Sequence, residues 1–192
     1  MGKKYELTDK FIINVFGIKL FQIKCTKSFK YAQKGDLGGY VEKEGNLDQE
    51  NDAWVSGNAQ VSGNAQVSDN ARVSGDAWVY GDAWVYGNAQ VSDNAWVYGD
   101  AWVYGNAWVY GDANIKNNNE HCGFDGFGSC NRHTHAYLTK EKKVEITCGC
   151  FRGSIEEFEK KVEETHSGTI YEKQYKAIIN VIKIKFGLTD LI

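Results

Sequence analysis

The sequence predicts a mainly β protein organised round a parallel β-helix, and three observations predict it. Eleven unbroken hexads run from Asn51-Asp-Ala-Trp-Val-Ser56 to Gly111-Asp-Ala-Asn-Ile-Lys116, reading [Gly/Asn/Asp]-[Asn/Asp]-Ala-X-[Val/Ile]-X. The residues before them are rich in β-formers. Those after them pass from alternating apolar residues to a helical apolar stripe.

In chain order, residues 1–44 read as an N-terminal β cap. Phe11-Ile-Ile-Asn-Val-Phe16 and Ile18-Lys-Leu-Phe-Gln-Ile-Lys24 are strand-like and lead into Lys34-Gly-Asp-Leu-Gly-Gly39. A solenoid leaves an unpaired strand edge at each end, and this segment stands where the first cap is needed. Val41 and Leu47 fall at inward positions of two imperfect hexads.

Residues 45–116 form the solenoid. Ala and Val sit two apart in each hexad, so they share the inner face of a strand while the X residues point outward. Gly followed by Asn or Asp suits a tight corner, because Gly accepts positive φ and the polar side chain bonds nearby backbone. A corner every six residues closes a triangle in three hexads, and stacked triangles make a β-helix. Nearly four coils at the ordinary strand spacing give a prism about 18 Å tall.

Residues 117–192 read as a loop followed by a ββαα element. Asn117 to Gly128 is loop-like by composition. Residues 133–139 and 144–150 alternate as a hairpin around Lys140-Glu-Lys-Lys143. Ser154-Ile-Glu-Glu157 is a capping box, and Ile155, Phe158 and Val162 share one helical face ending near His166. A second helix is expected from Tyr171 to about Phe186, with Tyr175, Ile178, Ile179 and Ile182 inward.

Charge is segregated along the 192 residues. Residues 1–34 hold eight Lys and two acids, whereas residues 35–120 hold three basic residues and thirteen acids. An acidic shaft argues against nucleic acid as a partner, since phosphate contacts need clustered Lys or Arg. Five irregularly spaced cysteines, with neither a signal peptide nor a long apolar run, suit reduced thiols in a cytoplasm and no membrane partner.

Three blocks carry a resemblance across nearly the whole chain: Lys34-Gly-Asp-Leu-Gly-Gly-Tyr-Val-Glu42, the hexads, and Cys148-Gly-Cys-Phe-Arg-Gly-Ser-Ile-Glu-Glu-Phe158 running on to Thr165-His166. Through them the chain resembles the hexapeptide-repeat proteins carried by bacteriophages and prophages, which are often labelled transferases or polymer-forming proteins. The resemblance implies a left-handed coil and a place in the cytoplasm of a bacterial host. Family members have a Gly-Ser-Arg stretch and threonines where this chain has Gly128-Ser-Cys-Asn-Arg132-His-Thr-His135, so these histidines look particular to this protein.

Side chains three hexads apart stack on one face of the prism. One face then carries Trp78, Tyr80, Trp96 and Tyr98, and the next carries Trp84, Tyr86, Trp102 and Tyr104. Each ring can bury roughly 150 to 250 Å², and together they exceed the largest apolar patch of an ordinary monomer. Closed threefold symmetry would consume both faces, so a homotrimer is expected.

No catalytic residue and no cofactor is assigned. Arg132, His133, His135 and His166 are the candidate ligand-binding residues, suited to a small anionic or nucleotide-like ligand. The expected function is that of a non-enzymatic binding protein that sequesters such a ligand or inhibits a host defence factor. One alternative is an acyltransferase using His121 or His166 as general base at a subunit interface; another is a structural or assembly protein. A hairpin register pairing His133 with Cys150 and His135 with Cys148 would also gather a zinc set of His133, His135, Cys148 and Cys150.

Overall fold

The computed structural model describes residues 2–188. The chain divides between Asn117 and Asn118 into two compact units. In the first, β1 (Tyr5–Ile13), β2 (Lys19–Cys25) and β3 (Leu37–Val41) form an antiparallel meander. The strands β4 to β14 follow, two residues each, from Trp54–Val55 to Asn114–Ile115.

Those short strands stack into three parallel sheets, one per face of the prism. The first face joins Gln60–Val61, Trp78–Val79, Trp96–Val97 and Asn114–Ile115, and is extended by β3, β2 and β1. The second stacks Gln66–Val67, Trp84–Val85 and Trp102–Val103. The third stacks Trp54–Val55, Arg72–Val73, Gln90–Val91 and Trp108–Val109.

Each coil donates backbone N–H groups to the next, as in Gln60 N to Ala77 O at 2.9 Å and Ser62 N to Val79 O at 3.0 Å. Every repeat Ala and Val is buried, none more than 2% exposed. Small and β-branched side chains are what such a narrow interior can hold. The corners show why Gly recurs: Gly81 has φ +76°, and a Cβ there would stand 2.9 Å from Gly99 N. Asp69 and Asp93 hold the same left-handed conformation. Each compensates with its side chain, accepting the N–H of Gly87 (3.0 Å) and Gly111 (3.1 Å) respectively.

The N-terminal segment closes the open edge. Val41 and Leu47 are buried, and Leu47 bridges to Val67 in parallel. Lys4, only 5% exposed, donates to the carbonyls of Glu50 (2.9 Å), Asn51 (3.3 Å) and Ala53 (2.9 Å). Burial pulls its ammonium down to about 8 against the opposing charges of Asp48 and Asp52.

The second unit is a four-stranded antiparallel sheet with two helices. Its strands are β15 (His121–Phe127), β16 (Arg132–Leu138), β17 (Val144–Cys148) and β18 (Phe151–Gly153), in that order. The segment expected as a loop after Asn117 is thus largely strand β15, whose Cys122, Phe124 and Phe127 pack against the core despite its glycines. Helices α1 (Ile155–His166) and α2 (Ile170–Lys185) begin at Ser154 and Thr169, whose hydroxyls accept from Glu157 N and Glu172 N. Ile155, Phe158, Val162, Tyr175, Ile178, Ile179 and Ile182 meet Ala136, Ile146 and Cys148 in one core. Among the described residues, no helix is long and apolar enough to cross a membrane.

Candidate functional site

Two regions carry the side chains singled out above: the sheet of the C-terminal unit and the outer faces of the solenoid. In the sheet, the β16–β17 register decides which groups can meet. Thr134 pairs with Cys148, His135 with Thr147, Ala136 with Ile146 and Tyr137 with Glu145. This is one residue away from the expected pairing, and a one-residue slip moves every side chain to the other face. The turn closes over three residues, Lys140 to Lys142, in place of four, with Lys142 at φ +59°, Thr139 N donating to Lys143 O and Lys142 N to Thr139 O.

The slip takes the zinc set apart. Cys148 faces the helices, where the Thr134 hydroxyl donates to its sulfur at 3.3 Å and the Tyr175 oxygen lies 3.7 Å away. Cys150 is exposed in the following turn, and His133 and His135 lie on the opposite face. Among the described residues no group of three or more His, Cys, Asp or Glu is placed to hold a metal.

The four candidate ligand residues divide in the same way. His133 and His135 are neighbours, with ring centroids 5.7 Å apart. Arg132 points to the other side, its guanidinium laid against Gly149, where a Cβ would come within 2.8 Å of Nη1. His166, at the end of α1, stacks on Tyr175 with centroids 5.5 Å apart. The structure therefore brings two of the four together, His135 with His121 as its partner and His133 with Asp125, and Arg132 with neither.

That histidine face is a hydrogen-bonded network. His121 Nε2 lies 3.3 Å from Asn118 Oδ1 and its Nδ1 lies 3.0 Å from His135 Nε2. An amide oxygen only accepts, so Nε2 of His121 carries the proton and Nδ1 receives the N–H of His135. Burial holds His121 down at about 4, helped by Lys185 and opposed by Glu120. His133 directs Nδ1 at Asp125 Oδ1, 2.7 Å away, and lays its ring over Gly123. Tyr137 donates to Glu145, which also receives Arg152 at 2.8 and 3.2 Å. The His121–His135 hydrogen bond ties β15 to β16.

The solenoid faces differ from one another. On the first, Trp78 stacks on Trp96 (5.1 Å, 4°) and Tyr80 on Tyr98 (4.9 Å, 10°). Phe16, at the tip of the β1–β2 hairpin, covers this stack, 5.8 Å from Trp78 and 5.4 Å from Tyr80. On the third face Phe29 covers Trp54 at 5.4 Å, leaving it 5% exposed, and Tyr31 sits under Arg72. On the second face Trp84 stacks on Trp102 (5.7 Å) and Tyr86 on Tyr104 (5.5 Å). There Trp84, Trp102 and Tyr104 are 43%, 45% and 54% exposed.

The eight aromatic residues expected at an interface thus split between a face that Phe16 covers in part and one whose rings are about half exposed. Sequence reasoning missed the covering residues Phe16, Phe29 and Tyr31. The available signal was an aromatic, lysine-rich segment preceding an acidic repeat.

The fold and its repeat place this chain among β-solenoid repeat proteins. In particular, a family model for the YdcK beta solenoid repeat matches residues 65–81 and 89–105. No curated protein matches the chain.

Proposed function

We propose that the chain is a non-catalytic binding protein that assembles as a homotrimer through the aromatic faces of its solenoid. The observation that carries this reading is the half-exposed ladder of the second face, where Trp84 and Tyr104 are 43% and 54% exposed. Stacked, rigid rings at half exposure are the composition of an interface core, since they lose little side-chain entropy on association.

The assembled protein takes a small anionic or nucleotide-like ligand, or a host factor, in the cytoplasm of a bacterial host. This part rests on the resemblance of residues 34–42 and 148–158 to phage-borne hexapeptide-repeat proteins and on the exposed Arg132. Acyl transfer gains no support from His121, which is 7% exposed and has both ring nitrogens engaged, by Asn118 and His135.

Native mass spectrometry of the untagged protein tests the reading. Three copies are expected, with a single copy for the Trp84→Ser/Trp102→Ser variant. An unchanged mass for that variant removes the trimer interface from these faces. A nucleotide-sized mass retained by the trimer supports the ligand, and a screen of cyclic nucleotides and NAD derivatives without binding rejects that class.

A further inference from the structure

The two surfaces that the trimer needs are unlike each other, and both lie on the first unit. One is the ladder of the second face, on which Trp84 and Tyr104 are 43% and 54% exposed. The other is the tip of the β1–β2 hairpin, where Phe11, Ile13, Val15 and Phe16 are 48%, 67%, 77% and 52% exposed.

The tip is a built knob. Asn14 Oδ1 accepts the N–H groups of Phe16 and Ile18, both at 3.0 Å, and Gly17 N donates to Asn14 O. Phe16 is anchored on Trp78 and Tyr80 of its own chain, which leaves Ile13 and Val15 presented to solvent. A preorganised apolar protrusion costs little ordering when it docks.

Charge separates the two surfaces further. Lys10 and Lys19 are exposed beside the knob, with Asp9 next to Lys10, while the exposed corners bordering the ladder carry Asp69, Asp82 and Asp100 and no base. Opposite potentials of this kind favour a second copy over a like-charged surface. Each surface exposes on the order of 300 to 400 Å² of apolar side chain, above what one scattered residue explains. Joined, they form an apolar interface core of roughly 700 Å², to which the polar corners add a rim.

We infer that the hairpin tip of one copy docks on the Trp84–Tyr104 ladder of the next, making a head-to-tail ring of three. The inference rests on the trimer proposed above. A contact between unlike surfaces closes into a ring of three when each copy is turned by a third of a rotation from the last, whereas a ladder meeting a ladder would give a twofold dimer.

Two variants test it, each spoiling one surface: Ile13→Ser/Val15→Ser for the knob and Trp84→Ser/Tyr104→Ser for the ladder. All four side chains are exposed, and far-UV circular dichroism checks that each variant is folded. Assembly of either variant alone is expected to weaken at least tenfold, as the loss of buried apolar area requires.

Mixing the two variants is the decisive measurement, because each still holds one intact surface. A one-to-one heterodimer by sedimentation or native mass supports the head-to-tail ring. A knob variant that assembles like wild type, or a mixture that stays monomeric at high micromolar concentration, overturns it. A monomeric wild type instead removes the underlying trimer, so the two failures are told apart.

Discussion

The solenoid and the C-terminal unit hold themselves together in different ways. In the solenoid each coil bonds only to its neighbours, and the same Ala and Val recur at every level. In the C-terminal unit, one sheet and two helices meet in a single core where Ile182, Ile146 and Ala136 are fully buried. The first arrangement spreads a defect over one coil, whereas the second shares it among every element. The molecule supplies a separate reporter for each: all six tryptophans lie between residues 54 and 108, and both long helices lie beyond residue 154.

The largest effect is expected from Ile182→Ala, which should cost about 2 to 5 kcal/mol of the C-terminal unit's stability. The helical circular dichroism signal should melt on the order of 10 °C lower or more, while tryptophan emission keeps its wild-type transition. Coincident shifts in both probes would erase the contrast between the units.

Acid sharpens the same contrast. His121 titrates at about 4 in the folded protein, against 6.5 when unfolded. Between those values the unfolded chain binds the extra proton, so stability is full above pH 6.5 and falls as the pH drops through 4. The loss is about 3 kcal/mol and belongs to the C-terminal unit. Urea titrations read at the helix signal at pH 7 and pH 4.5 should show it, with a flatter pH slope for His121→Gln. Equal slopes would place the acid sensitivity elsewhere.

A smaller effect is expected at the solenoid's first edge. Lys4→Met leaves the carbonyls of Glu50, Asn51 and Ala53 without their buried donor, at a cost of about 1 to 3 kcal/mol. Because Lys4 also sits over Phe29, which covers Trp54, the change should appear as a partial shift in tryptophan emission. The helix signal should not move. A single, complete loss of emission would mean that the solenoid unfolds as one block from this edge.

What was legible in the sequence follows the same division. A six-residue period fixes the inner face and the stacking partner of every residue from 51 to 116, because any slip would bury a Trp or Asn in place of a Val. Helices α1 and α2 were legible through the Ser154 box and the spacing of Ile155, Phe158 and Val162. The hairpin register was not. It turns on one non-glycine residue, Lys142, entering the left-handed region, and nothing in Lys140-Glu-Lys-Lys143 announces it. That single turn decided whether imidazoles and thiols would share a face. The covering of Trp78, Tyr80, Trp54 and Arg72 by Phe16, Phe29 and Tyr31 was hidden too, since contacts between a cap and a repeat leave no period to read.

The stacking of coils at a fixed interval of 18 residues has a consequence for how such a gene can change. In-frame duplication or loss of one coil's worth of codons keeps every corner, every inward Ala and Val and both ends intact. Only the height changes, by one strand spacing of about 4.8 Å. Each such event also adds or removes one rung on every outer face, Trp84 over Trp102 being two such rungs. Recombination between near-identical repeats is therefore a ready route for lineages to lengthen or shorten the aromatic surface in whole steps.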